Sequence, residues 1–305
     1  MKPLIFMFLA IALWAQTFLA FGQKATKQEN VVYGVISGMS LLMDVYQPGK
    51  SNHLGVVFIP GNGWGFFDQR IYNKGALKEA VQDTAYYGKW VKSLVQKGYT
   101  VFIINHRFAP QFHAPDILAD CQRAVRYIRY NAKKFGIDAH HIGAMGHSSG
   151  ANLSSMLGVT DVFIDKAENP IDSISSKVQA VVTMAAPFIL SDINRKEDTM
   201  LTRNMALRMF LNYVGELPEE SKNEFVSSGR YAQASPITYV TKEDAATLIY
   251  YSDDDFIIPR RQAPRMYQVL KEKGVPTKMV LTHKERHWPK PNMEEVDKWF
   301  KQYLR

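Results

Sequence analysis

The sequence predicts an α/β fold, a mostly parallel central sheet of about eight strands with helices on both faces. Three observations carry that expectation. From residue 31 onward, short β-branched and aromatic runs alternate with amphipathic stretches of helical spacing. Of 305 residues, 46% are hydrophobic and 22% charged, enough to build a sizeable core and too apolar for disorder. The residues best suited to chemistry fall just past the carboxyl ends of predicted strands, where open parallel sheets gather their sites.

Taken in order, VVYGVIS and LLMDVYQP read as the two strands of a hairpin around Gly38, and GVVFI (55–59) as a buried strand. AYYGKWVKSLVQKG has helical spacing and ends on Gly98, a residue suited to a helix C-terminus. YTVFIINH is the next strand. Residues 115–135 predict one long amphipathic helix, with Ile117, Cys121, Ala124, Val125 and Ile128 inward and Arg123, Arg126 and Arg129 toward solvent. HIGAMG is a strand that runs straight into a turn, and ANLSSMLGV opens the following helix. The strand KVQAVVTMAAP leads into an irregular stretch, after which come the strand ATLIYYS, a helix over 260–273, the strand TKMVLTH and the closing helix MEEVDKWFKQYL.

The N-terminal MKPLIFMFLAIALWAQTFLAFGQ has one lysine, an apolar run and then Ala20-Phe21-Gly22 as a small-residue cleavage site. Gln16 and Thr17 interrupt the run, which makes it a poor spanning helix. The expectation is a signal peptide over 1–22, removed on export to the periplasm or the exterior, and one domain over 23–305 with no stable membrane insertion. The single cysteine, Cys121, permits no intramolecular disulfide and reads as a buried thiol. No metal or other cofactor is expected: there is no C-x-x-C or H-E-x-x-H, and His140 and His141 would point to opposite faces of a strand. The net charge of +8 is spread along the chain without basic clusters, so nucleic acid is not an expected partner.

The stretch Gly146-His147-Ser148-Ser149-Gly150 reads G-x-S-x-G, a serine on a strained strand-to-helix turn whose glycines make room where the two elements crowd together. A serine hydroxyl is barely ionised near neutrality and needs an imidazole base, which in turn needs a carboxylate to orient it. After Ser148 only His283 and His287 remain. His287 lies in a loop where its ring can turn inward, and is preferred to His283 at a strand end. The acid belongs to YYSDDDFIIP, where spacing leaves Asp253, Asp254 and Asp255 open. The loop FIPGNGWGFF supplies glycines on the same edge, with room for main-chain N–H groups to converge on one oxygen.

In order, these segments resemble the α/β-hydrolase superfamily, specifically its bacterial esterase and lipase branch related to hormone-sensitive lipase and to feruloyl or acetylxylan esterases. LLMDVYQP resembles L-D-V-Y-x-P, PGNGW stands for H-G-G-G-W, and HRFAP for Y-R-L-A-P. GIDAHHIGAMGHSSGANLS, ASPITYV, SDDDFIIP and ERHW follow in the family's order. The resemblance selects Asp255, four residues before Pro259, and His287, giving a Ser148–His287–Asp255 triad. It puts Asn62 and Gly63 at oxyanion-loop positions, with the N–H of Ser149 as the further donor. Pro60 stands where the family has histidine, and Asn62 and Ala151 each replace a glycine.

Residues 188–230 correspond to the family's small cap, where Met200, Met205, Met209, Phe210 and Tyr213 form either an apolar face over the site or the core packing of a connecting helix. Trp64, Phe66 and Phe67 adjoin the oxyanion loop, His147 is expected toward the entrance, and Trp288 neighbours His287. Trp64, Phe66, His147 and Trp288 are therefore candidate substrate contacts. The resemblance implies an exported serine esterase acting on a small-molecule or saccharide ester through an acyl-enzyme. An amide hydrolase on the same fold, or a non-catalytic binding module, are the competing readings. The acyl and alcohol groups and the oligomeric state are left open.

Overall fold

The computed structural model describes residues 24–65, 87–161, 168–192, 198–216 and 229–304. The expected signal peptide and the aromatic pair Phe66 and Phe67 lie outside these residues. A hairpin of β1 (Thr26–Ile36) and β2 (Met39–Gln47) opens the domain. Then come β3 (Gly55–Ile59), α1 (Tyr87–Gln96), β4 (Thr100–Ile104), α2 (Ala114–Tyr130), the one-turn α3 (Ala132–Phe135), β5 (Ile142–His147) and α4 (Ser149–Val159). After β6 (Ala180–Met184) come α5 (Met200–Val214), the short α6 (Arg230–Gln233), β7 (Ala246–Ser252), α7 (Gln262–Glu272), β8 (Thr277–Thr282) and α8 (Met293–Tyr303).

The eight strands form one sheet in the order β1-β2-β4-β3-β5-β6-β7-β8. β2 pairs antiparallel with both β1 and β4, and every other pairing is parallel. The central strands are buried along their whole length, which explains their unbroken apolar runs. Their side chains alternate between two cores with the two-residue period of a strand. Val57, Ile59, Phe102 and Ile104 face α2 and α4, while Val56, Phe58, Val101 and Ile103 face α1 and α8. This is the α/β-hydrolase fold, as the alternation of patterns implied.

Several local expectations are corrected. The helix predicted over 115–135 is broken at Asn131, whose side-chain amide donates to Tyr127 O at 2.8 Å, and α3 then stops at Gly136 in left-handed geometry. Arg123, Arg126 and Arg129 do not face open solvent. Arg126 Nε donates to Ile174 O at 2.9 Å, Arg129 Nη2 to Lys177 O at 2.7 Å, and Arg123 pairs with Asp172. The segment 172–177 lies over this face of α2, and the guanidinium forks satisfy its free carbonyls. His140 and His141 stand in a turn ahead of β5, not on the strand. Within the stretch expected to be irregular, α5 forms because Ala206, Met209, Phe210, Tyr213 and Val214 recur at helical spacing and are all buried. Met200, expected on that inner face, is 72% exposed. Among the described residues no helix is long and apolar enough to cross a membrane.

Candidate active site

The strand order decides where the site forms. β3 lies between β4 and β5, so the chain leaves it for one side of the sheet and returns on the other. Ile59 at the end of β3 is level with Gly146 in β5, so the loop after β3 and the turn after β5 leave the sheet side by side. That turn is the serine elbow. A Cβ on Gly146 would sit 2.3 Å from Gly150 O, and one on Gly150 2.0 Å from Ile59 O, so only glycine fits at either position. Between them Ser148 is held at φ 52°, ψ −122°, a conformation a non-glycine residue adopts only at a cost of about 1–3 kcal/mol. Its N–H donates to Met184 O at 2.8 Å, which pins the elbow to β6.

The loops after β7 and β8 bring the other two groups. His287 Nε2 lies 2.8 Å from Ser148 Oγ, and His287 Nδ1 lies 2.9 Å from Asp255 Oδ2 and 3.1 Å from Oδ1. A carboxylate only accepts, so Nδ1 carries the proton and Nε2 is left to accept from the serine hydroxyl. Asp255 Oδ1 also takes the N–H groups of Ile257 at 2.8 Å and Ile258 at 2.9 Å, which fix the carboxylate in place. The side chains of His287 and Asp255 are 3% and 5% exposed. An imidazole so held can receive the serine proton and keep its charge beside a carboxylate.

The other two aspartates do different work. Asp253 pairs with His283 at 2.6 Å on the exposed side of the loops. Asp254 Oδ1 accepts from Ser252 Oγ at 2.6 Å and from Arg286 N at 2.8 Å, tying the two loops together just ahead of His287. The Ser252 hydroxyl, foremost, holds the Asp254 carboxyl below the usual carboxylate range.

The loop after β3 departs from the sequence reading. The N–H of Asn62, expected to face an oxyanion, instead donates to Ser149 Oγ at 3.0 Å. Asn62 Oδ1 accepts from Gly65 N at 3.0 Å and closes the loop on itself. Gly63, in left-handed backbone geometry at φ 65°, lines the cavity above Ser148. Ser149 is the first residue of α4, so its N–H lies at the open, electropositive end of a helix. Gly63 lines the cavity and Ser149 opens α4, whereas Asn62 holds the loop.

Around Ser148 and His287 is a cavity of about 230 Å³, walled by Asn62, Gly63, Met205, Phe256 and Trp288. Met205, from α5, is one of the residues the sequence placed over the site, and Phe256 is a wall residue that sequence reasoning missed. Trp288 is 38% exposed at the rim. His147, expected at the entrance, is 1% exposed and lies beneath Trp288, the rings stacked at 4.7 Å and 13°. Burial first, and the neighbouring His287 second, push its imidazole well below the usual histidine range, so it stays neutral. Trp64 is not a wall of this cavity. It stacks on Tyr213 at 4.1 Å and 8° and meets Phe210 edge-on, so it anchors α5 to the oxyanion loop from beneath. A larger cavity of about 510 Å³, between the start of α2 and the end of α5, touches none of Ser148, His287 and Asp255. Of the two, only the smaller is lined by Ser148 and His287.

The chain is 26% identical over 241 residues to Esterase LipC of Mycobacterium tuberculosis, across 77% of this chain and 53% of that protein. It is 23% identical over 201 residues to arylacetamide deacetylase of Bos taurus, across 63% of this chain and 46% of that one. The chain spans about half the length of the curated relatives it matches. A solved structure, a truncated form of a carbohydrate esterase from gut microbiota, superposes with a TM-score of 0.72 at 24% identity, covering 93% of this chain and 98% of that one. At that identity the likeness is one of fold. The profile of the BD-FAE family matches residues 43–270, from within β2 almost to the end of α7 and through the serine elbow. A match over so much of the sheet and its loops establishes the lineage: the chain belongs to the BD-FAE family, within the α/β-hydrolase superfamily.

Proposed function

We propose that the protein hydrolyses carboxylic esters through an acyl-enzyme on Ser148, with short acyl groups on a saccharide as the substrate class. The observation that carries this reading is the single imidazole of His287 bridging Ser148 Oγ at 2.8 Å and Asp255 at 2.9 Å. His287 takes the serine proton as Ser148 Oγ attacks the ester carbonyl, and Asp255 stabilises the imidazolium. The N–H groups of Gly63 and Ser149 receive the developing oxyanion. His287 then protonates the departing alcohol. Water, deprotonated by the same imidazole, releases the acid and restores the serine.

A cavity of about 230 Å³ is small beside the usual range for ligand pockets and favours acetyl-sized groups over long chains. The exposed face of Trp288 at the rim offers an apolar platform of the kind sugar rings stack on. The likeness to a carbohydrate esterase in fold and to Esterase LipC in sequence supports the same class. Arylacetamide deacetylase among the relatives favours amides as a second reading. The apolar stretch ending at Ala20-Phe21-Gly22 supports an exported enzyme whose mature chain starts at Gln23.

Hydrolysis of a chain-length series of p-nitrophenyl esters beside acetylated and feruloylated oligosaccharides and matched anilides tests the reading. The expected outcome is turnover of short esters and of acetylated saccharides, with Ser148→Ala reducing kcat by about six orders of magnitude. A fluorophosphonate that labels a serine other than Ser148, or anilides preferred to esters, would overturn it. N-terminal sequencing of the exported protein should begin at Gln23, and a product that keeps Met1 argues against export.

A further inference from the structure

We propose that His147, held by Tyr87, is a positioning residue that locks the backbone of His287 to the loop after β3. This inference rests on the ester-hydrolase reading for its kinetics but not for its geometry.

The loop after β3 and the loop after β8 are joined, through the start of α1 and the end of β5, by one directional chain of hydrogen bonds. Gly61 N–H donates to Tyr87 Oη at 3.2 Å, Tyr87 Oη is 2.8 Å from His147 Nδ1, and His147 Nε2 is 2.8 Å from His287 O. The direction follows from the ends. The His287 carbonyl can only accept, so Nε2 of His147 carries the proton. In a neutral ring Nδ1 is then bare, and the one hydroxyl proton of Tyr87 goes to it rather than to Gly61 O at 3.4 Å. Each link has one proton to give and one partner to receive it.

The rings cannot drift out of this arrangement. Tyr87 is wedged edge-on against Phe58 at 5.6 Å and Trp90 at 5.6 Å. His147 lies beneath Trp288 and meets the His287 ring at 5.1 Å and 61°. Among the described residues, Tyr87 and His287 are titratable groups that face it, with Asp255 beyond. A proton on Nδ1 of His147 would turn an acceptor into a donor facing the Tyr87 hydroxyl. It would also set a cation beside the imidazolium formed at His287 during turnover. The site therefore needs His147 uncharged, and its burial keeps it so.

The position before a serine nucleophile has no need of histidine for the elbow itself, since Gly146 and Gly150 supply the space. What histidine adds is a donor on the far nitrogen at the distance of the His287 carbonyl. Holding that carbonyl fixes where the His287 side chain starts, and an error of about 1 Å in a reacting group costs about a hundredfold.

His147→Leu removes both contacts, His147→Gln keeps a donor at the far position, and Tyr87→Phe removes the middle link. The expected kcat losses are about thirtyfold for His147→Leu, about fivefold for Tyr87→Phe and under about threefold for His147→Gln, with KM moving less than about twofold. The effect of Tyr87→Phe should shrink in the His147→Leu background to the part that comes from its bond to Gly61 N, because the rest acts through one chain. A second readout needs no turnover: the downfield proton resonance of His287 Nδ1–H bonded to Asp255 should stay sharp in the parent and in His147→Gln. It should broaden or disappear in His147→Leu. A folded His147→Leu protein with parental kcat and an unchanged resonance overturns the proposal. If His147→Leu does not fold, Tyr87→Phe with unchanged kcat and resonance does so. A parent with no ester turnover would overturn the proposed function alone, and the resonance would then decide this inference.

Discussion

The backbone N–H of Asn62 points not at the reaction centre but at the hydroxyl of Ser149, 3.0 Å away and fully enclosed. Under the proposed mechanism Ser149 serves twice: its amide receives the oxyanion, and its side chain anchors the loop that carries Gly63. Pro60, which replaces the family's histidine, supplies no side-chain hydrogen bond to that loop. Tyr87 and Ser149 hold it instead, one through Gly61 N and the other through Asn62 N.

Ser149→Ala should therefore cost more than a surface change. It leaves a buried N–H without an acceptor, worth about 1–3 kcal/mol of stability, and frees the Gly63 loop, lowering kcat about fivefold. Ser149→Thr, which keeps the hydroxyl, should recover part of both. Urea denaturation and steady-state kinetics measure the two effects. A parental kcat in Ser149→Ala would mean that the loop holds its shape without this bond.

The three consecutive aspartates should separate cleanly. Asp255→Asn should lower kcat by up to about four orders of magnitude, because an amide stabilises the wrong tautomer of His287. Asp253→Asn, at the exposed pair with His283, should stay within about twofold. Asp254→Asn should stay within about tenfold, because the amide keeps an oxygen to accept from Ser252 Oγ and Arg286 N and loses only the stronger, charge-assisted bonding. The comparison is of kcat for the three variants at pH 8, and a deep loss at Asp254 alone would reassign the acid.

Met205 and Trp64 should answer differently to truncation. Met205→Ala enlarges the cavity wall and should shift preference from acetyl toward hexanoyl p-nitrophenyl esters. Trp64→Ala removes the stack on Tyr213 and should destabilise the protein by about 3–5 kcal/mol, with the acyl-length preference unchanged. A Trp64 variant with normal stability and altered chain-length preference would return Trp64 to the cavity wall.

Acid should destabilise the fold below about pH 6.5, the ordinary histidine value. His106 and His147 are both buried, and burial pushes both imidazoles down. The unfolded chain binds protons at these two residues at a pH where the folded chain does not. Stability is therefore complete above the unfolded value and is lost as pH falls below it, by up to about 1.4 kcal/mol per pH unit for each histidine. His147→Gln should flatten the decline between pH 6.5 and 5 by about one proton's worth. Chemical denaturation at half-unit pH intervals reads this slope, and an unchanged slope would mean that His147 takes up its proton in the folded state.

Much of this protein is written locally. Continuous apolar strands with an intervening amphipathic helix specify a parallel sheet covered on both faces. The elbow is legible because glycines flank the serine where strand and helix crowd together: a Cβ on Gly146 or Gly150 would sit within 2.3 Å of a backbone oxygen. His287 was reached through its place in a loop and Asp255 through resemblance, and both lie past strand ends that a parallel sheet brings to one edge. Tertiary structure alone decided the rest. Tyr87 carries no motif, and its role exists only because α1 packs its ring beside His147, 60 residues on. The guanidinium groups of α2 looked solvated because a helical wheel shows which face is polar but not what lies over it. Trp64 looked like a substrate contact because it follows the oxyanion loop, yet the cap helix offered Tyr213 as a better partner. Hydrophobic period and steric exclusion act between neighbours in sequence, so the chain displays them. Hydrogen-bond partners of buried polar groups are chosen by whichever segments the sheet order brings together, and no local pattern records that choice.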